Sequence, residues 1–206
     1  MNTYSKAIAM NVIQKSSNGL TLMPIETKLL ADRKLFIEGE INQASALEFV
    51  KALIFLIKED KDTPIDIIIN STGGEINGAG LMMYDAICSC PTPLRMICTG
   101  VAYSMAALLF VSGPKGSRLM LEHAELMLHE PLINNRIGGN CSSIKSISDS
   151  LLDTRRKLNK LLVQHSGRTE AEIEQATSYD HFYTPSEAIE FGLADCIVDF
   201  KSIMEG

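Results

Sequence analysis

The chain has 206 residues, of which 46% are hydrophobic and 21% charged, with a formal net charge of -6. That length and composition let one domain bury a full core without disulfides or metal, while the net negative charge and the lack of any long lysine or arginine run argue against a nucleic-acid partner. No apolar stretch reaches the roughly 20 residues needed to cross a bilayer, and the opening MNTYSKAIAMNVIQKSSNG lacks the apolar core and cleavage site of a signal peptide, so a cytoplasmic protein without a membrane partner is expected.

Residues 1–21 mix Ser, Asn, Lys and scattered aliphatics without a sustained period, which predicts a mobile arm, or one ordered only by a partner, ahead of a single domain over residues 22–206. After the apolar run Leu35-Phe36-Ile37, Asn42 to Glu59 places Ala46, Leu47, Phe49, Val50, Leu53, Ile54, Leu56 and Ile57 at helical spacing, a largely buried helix. Ile65 to Ile69 is a β-branched strand closed by the turn Asn70-Ser71-Thr72-Gly73-Gly74. A helix then runs to about Ser89, where Pro91 and Pro93 stop it. Leu94 to Cys98 is a second strand, and Gly100 opens a turn into the small, apolar helix Ser104 to Val111. This repeated strand-turn-helix order predicts an α/β fold of parallel strands covered by helices, with function gathered at the strand C-termini.

Gly113 to Gly116 reads as a turn before two short strands, Arg118 to Leu121 and Glu125 to His129, and Asn134 to Ser142 as a loop. Ser143 to His165 is a long amphipathic helix stopped by Gly167. Thr184-Pro185-Ser186-Glu187 carries a capping threonine, an N1 proline and the reciprocal glutamate of a short helix closed by Gly192. The last strand spans about Ala194 to Val198. The five cysteines, at 88, 90, 98, 141 and 196, stand in apolar stretches, without the spacing of a disulfide framework or a zinc site, so free thiols and no bound metal are expected.

Three side chains could carry chemistry. Ser104, in Gly100-Val101-Ala102-Tyr103-Ser104-Met105-Ala106, stands between a strand and a helix, where free amides and the helix dipole favour a nucleophile. The same place suits an ordinary serine N-cap, and the lipase pattern G-x-S-x-G is absent. His129 ends an apolar run and could act as a general base or simply hydrogen-bond at a strand terminus, with His123, His165 and His181 in no better setting. Asp180, in Ser178-Tyr179-Asp180-His181-Phe182, could orient an imidazole or merely form a turn. Asp85, Asp195 and Asp199 compete with it, because spacing does not identify a triad. Gly73-Gly74 after a strand, and the amide of Met105 after the serine, are candidate donors to an oxyanion.

Taken together, Ile69-Asn70-Ser71-Thr72-Gly73-Gly74, Gly100-x-x-x-Ser104-Met105-Ala106, Met127-Leu128-His129-Glu130-Pro131, and Asp180-x-Phe182 ahead of Glu187-Ala188-x-x-Phe191-Gly192-Leu193-x-Asp195 resemble the Clp protease proteolytic subunit family in content, order and spacing. The resemblance covers roughly Leu29 to Val198. It implies a crotonase-like fold and stacked heptameric rings enclosing a chamber. It also implies a serine endopeptidase with Ser104 as nucleophile, His129 as base, Asp180 as its partner, and the Gly74 and Met105 amides as oxyanion hole. No cofactor is implied for this subunit. A hexameric AAA+ unfoldase would use the ATP and thread unfolded proteins past the N-terminal arm, and the long helix would join the rings.

Thr72 stands where the family carries proline, and Gly73 to Gly80 is one residue longer than usual, leaving open which glycine amide serves the oxyanion. Tyr103 replaces a small residue, Tyr179 an arginine that couples ring contacts to the triad, and Asp66 an aromatic docking residue. Two other readings stand beside this one. A crotonase-type acyl-CoA enzyme would need a carboxylate acid or base in place of the Ser-His pair. A weakly active or non-catalytic scaffold would work in a hetero-oligomer with a paralogous subunit.

Overall fold

The computed structural model describes residues 10–16, 19–133 and 138–204. The chain opens with an antiparallel hairpin, β1 (Asn11–Ser16) and β2 (Gly19–Pro24), where the sequence reading placed no element. Its apolar side chains are spread over an exposed ribbon, Ile13, Leu20 and Leu22 among them, so no buried face marks it in the sequence. The expectations for residues 1–9, and for 134–137 within the predicted loop, fall outside the described residues.

Next come α1 (Ile25–Ala31), β3 (Lys34–Ile41), α2 (Gln43–Glu59) and β4 (Ile65–Gly74). Then follow α3 (Leu81–Cys88), β5 (Leu94–Tyr103), α4 (Met105–Val111), β6 (Arg118–Leu121) and β7 (Glu125–Leu128). The chain ends with α5 (Cys141–Ser166), α6 (Glu170–Thr177), β8 (His181–Tyr183), α7 (Pro185–Glu190), β9 (Cys196–Val198) and α8 (Lys201–Met204). Strands β3, β4, β5, β6 and β9 lie side by side in parallel, as the strand-turn-helix order predicts.

Strand β5 is longer than its apolar run. Its first half pairs with β6 (Met96 with Arg118, Cys98 with Met120), and its second half pairs with β7 (Val101 with Glu125, Tyr103 with Met127). Gly100 therefore lies inside the strand rather than opening a turn, and Asn70 Oδ1 occupies the place a Cβ would take there. The Val101 N–H donates to the same oxygen at 3.1 Å, which fills the register break between β4 and β5. Strand β4 likewise continues through the predicted turn to Gly74.

Helix α2 is capped reciprocally by Asn42 and Ser45, and buries Ala46, Phe49, Leu53 and Leu56 at three- and four-residue intervals against the sheet. Leu47, Ile54 and Phe55 face outward, so the helix is amphipathic rather than largely buried. In α4 every residue is buried, which makes it the central helix and explains its small, apolar composition. Helix α5 buries only Asn159 and Leu162 and ends at the left-handed Gly167. Arg118 clamps the C-terminal segment, donating to both Asp195 carboxylate oxygens and to the Gly192 carbonyl. All five cysteines are free, and among the described residues no helix is long and apolar enough to cross a membrane.

Candidate active site

The change from β5 to α4 takes one residue. Ser104 has φ 55° and ψ -121°, a conformation rare for a residue with a Cβ. Such strain costs on the order of 1–3 kcal/mol and persists only where the surroundings impose it. Here the Ser104 N–H donates to the Met127 carbonyl at 2.9 Å, and its own carbonyl accepts from the Leu108 N–H at 3.2 Å. The side chain makes no cap hydrogen bond. Ser104 thus occupies the N-cap position without capping, and its Oγ lies 2.7 Å from His129 Nε2.

His129 follows directly on β7, with its side chain 15% exposed. Strand β8, which no sequence signal announced, runs antiparallel to β7 with Leu126 opposite Tyr183, Met127 opposite Phe182 and Leu128 opposite His181. Continuing that register by one residue sets Asp180 across from His129. Their closest approach, Asp180 Oδ1 to His129 Nδ1, is 3.5 Å, longer than a normal hydrogen bond, and the Asp180 side chain is 65% exposed.

The competing residues are engaged or positioned elsewhere. The His165 ring is 2.7 Å from the Tyr84 hydroxyl, and burial holds its pKa below the usual imidazole value. His123 is exposed in the turn between β6 and β7, and Asp85 on the surface of α3. Asp195 is held by Arg118, and Asp199 accepts from the Ser202 N–H.

The glycine pair separates into two functions. The Gly73 N–H faces the Ser71 hydroxyl at 3.1 Å, and a Cβ on Gly73 would stand 2.9 Å from Ser104 Cβ and 3.0 Å from the Met105 nitrogen. Gly73 is therefore the residue that lets the Ser104 turn approach β4. Gly74 pairs with Ile41, and the Glu75 N–H donates to the Ile41 carbonyl at 2.8 Å. The Met105 N–H, first in α4, has no intrahelical acceptor. The Met105 nitrogen thus lies beside the Ser104 turn, close to Gly73. The stretch between Gly73 and Gly80 forms a wide turn, kinked at Asn77 and Gly78 and closed by Gly80 N–H to Glu75 O at 3.0 Å.

A small cavity of about 30 Å3 opens beside Ser104 and His129. Its walls include Ile76, Leu108, Leu128 and Leu162, with Asn159 as the polar exception. Sequence reasoning did not single out Asn159, because one polar residue on an amphipathic helix carries no signal until the other elements close around it. Its Oδ1 accepts from the Thr177 hydroxyl at 3.3 Å.

Three residues that depart from the family pattern have clear local partners. Tyr103 hydrogen-bonds Glu125, which raises its pKa to about 12, and its ring meets Phe182 edge-on. Asp66 is buried between Arg95, at 2.6 and 2.7 Å, and Lys34, at 3.1 Å. Tyr179 stacks on His181. Among the described residues no group of three or more His, Cys, Asp or Glu is arranged to hold a metal ion. In a comparison with protein families, the model described as Clp protease matches residues 17–201.

Proposed function

The chain belongs to the Clp protease family, a peptidase family, and we propose that it is a serine endopeptidase, the proteolytic subunit of an ATP-dependent Clp protease. The observation that carries this reading is the 2.7 Å contact between Ser104 Oγ and His129 Nε2, made by a serine whose strained backbone frees its side chain from capping.

In this mechanism Ser104 Oγ attacks a peptide carbonyl while His129 takes its proton. The Gly74 and Met105 amides receive the oxyanion. His129, now cationic, gives the proton to the leaving amine, and Asp180 stabilises the imidazolium and holds its tautomer. Water, deprotonated by His129, then hydrolyses the acyl-enzyme. The cavity beside Ser104 takes a small or slender apolar side chain of the substrate. Subunits of this family form oligomeric rings with AAA+ partners. By that analogy the chain works in stacked heptameric rings fed by a hexameric AAA+ unfoldase, which consumes the ATP.

The exposed Asp180 and its 3.5 Å contact favour a second reading, in which the chain is a weakly active subunit whose triad tightens only in a hetero-oligomer with a paralogue. Labelling with a fluorophosphonate probe, followed by mapping of the modified peptide, separates the two. Labelling at Ser104 by the purified protein, lost in His129→Ala, supports the autonomous peptidase. No native labelling until a paralogue is added supports the mixed complex. Labelling that survives His129→Ala unchanged would sink both.

A further inference from the structure

The Asp180 carboxylate is mostly exposed and has, among the described residues, no partner besides His129. Nothing bonded to the carboxylate therefore holds it in place, and its position must come from the backbone and the neighbouring side chains. On that segment Tyr179, His181 and Tyr183 stand at alternate residues, hence on one face, with Asp180 and Phe182 on the other. The three rings form a column: Tyr179 over His181 at 5.5 Å and 11°, and His181 over Tyr183 at 4.3 Å and 8°. The column is rooted in the core, because Tyr183 is buried and packs on Phe191 at 5.3 Å, with the Arg168 guanidinium over the far ring at 4.8 Å. His181 Nδ1 and the Tyr183 hydroxyl are buried without a protein hydrogen-bond partner among the described residues, so ring packing rather than hydrogen bonding sets the column. The opposite face is braced by Phe182 against Tyr103, the residue before Ser104.

We propose that His181, clasped between Tyr179 and Tyr183, is a positioning residue that holds Asp180 beside His129. The proposal rests on the reading of Asp180 as the partner of that base. The ring column does within one chain the work of a clamp on the aspartate: it fixes the backbone on either side of Asp180 while leaving the carboxylate free to meet the imidazole.

The test is the second-order rate of fluorophosphonate labelling at Ser104 in the full-length chain. His181→Ala should slow labelling about tenfold, the size expected from losing two ring contacts, and His181→Phe, which keeps the column, should restore it. In an Asp180→Ala background His181→Ala should have no further effect, because a residue acting through Asp180 has nothing left to position. Tyr179→Ala removes the exposed outer ring, should slow labelling by a smaller factor, and gives the same test if His181→Ala fails to fold. Wild-type labelling in both His181→Ala and Tyr179→Ala, or an equal loss with and without Asp180, would overturn the positioning role while leaving the triad intact. Failure of the unmodified chain to label even with a paralogous subunit added, or unimpaired labelling in Asp180→Ala, would overturn the triad reading and this proposal with it.

Discussion

His129 and Asp180 face each other one position beyond the last pairing of β7 with β8, Leu128 with His181, and their side chains meet at 3.5 Å. The pairing of two short strands thus brings a histidine and an aspartate 51 positions apart in the chain into contact. Asp180→Asn preserves the shape but supplies an amide that favours the wrong imidazole tautomer. Peptidase kcat/KM should fall by about 10³- to 10⁴-fold. The melting temperature should barely move, since the side chain is mostly exposed. Short-peptide kinetics beside a thermal melt check both halves.

Ser104 combines the proposed nucleophilic oxygen with an unfavourable backbone. Ser104→Ala and Ser104→Gly should both lose activity by several orders of magnitude, about 10⁴-fold or more. They should differ in stability, because glycine accepts φ 55° without a Cβ penalty. The glycine variant is expected to be about 1 kcal/mol more stable than the alanine variant. Equal stabilities in denaturant titrations would argue that the turn is not strained.

The two neighbouring glycines should fail in different ways. Gly73→Ala drives a Cβ to 2.6 Å from the Tyr103 carbonyl and 2.9 Å from Ser104 Cβ, so it should displace the nucleophile and reduce probe labelling by about 10²-fold or more. Gly74→Ala drives a Cβ into the Ile41 carbonyl and should separate β3 from β4, destabilising the fold by about 2 kcal/mol or more. Labelling rates and melting temperatures for the pair distinguish a local from a general defect.

Arg118 is almost wholly buried and holds Asp195 through both carboxylate oxygens. Arg118→Leu leaves a partly buried carboxylate without its partner and should cost about 3–5 kcal/mol. Adding Asp195→Leu should recover part of that loss. A double-mutant cycle by chemical denaturation measures the coupling, and strict additivity would mean that the pair contributes only packing.

Glu172 closes the capping box at the start of α6. Hydrogen bonds, first from the Thr169 hydroxyl, then from the Thr169 backbone and Arg168, hold its pKa at about 2 rather than 4.5. A carboxylate whose folded value is depressed adds stability above its unfolded value and loses it as pH falls through the folded one. Glu172→Gln should therefore melt below the parent protein at pH 7, and the gap should close as pH falls from about 4.5 to about 2. Melting curves over that range check it, and a constant gap would show that the charge is irrelevant.

Elements whose physics is local were legible in the sequence. The β-branched run of β4, the apolar segment of α4 and the capping box Thr184–Glu187 each carry their own period or cap, and the strand-turn-helix order leads to the parallel sheet. Resemblance to a family pattern named Ser104, His129, Asp180, Gly74 and Met105, but no local feature separated Asp180 from Asp195 or a reactive Ser104 from an ordinary cap. The capping box Thr169–Glu172, a signal of the same kind, was there to be read and marks α6. Tertiary structure alone decided the remainder: the continuation of β5 past Gly100, the pairing of β8 with β7 and the ring column beside Asp180. Each depends on a hydrogen bond or a ring contact whose partner lies on another element or forms only once the strand is extended. A three-residue strand such as β8 has too few residues to show a period, and becomes a strand only because β7 is already there to pair with it.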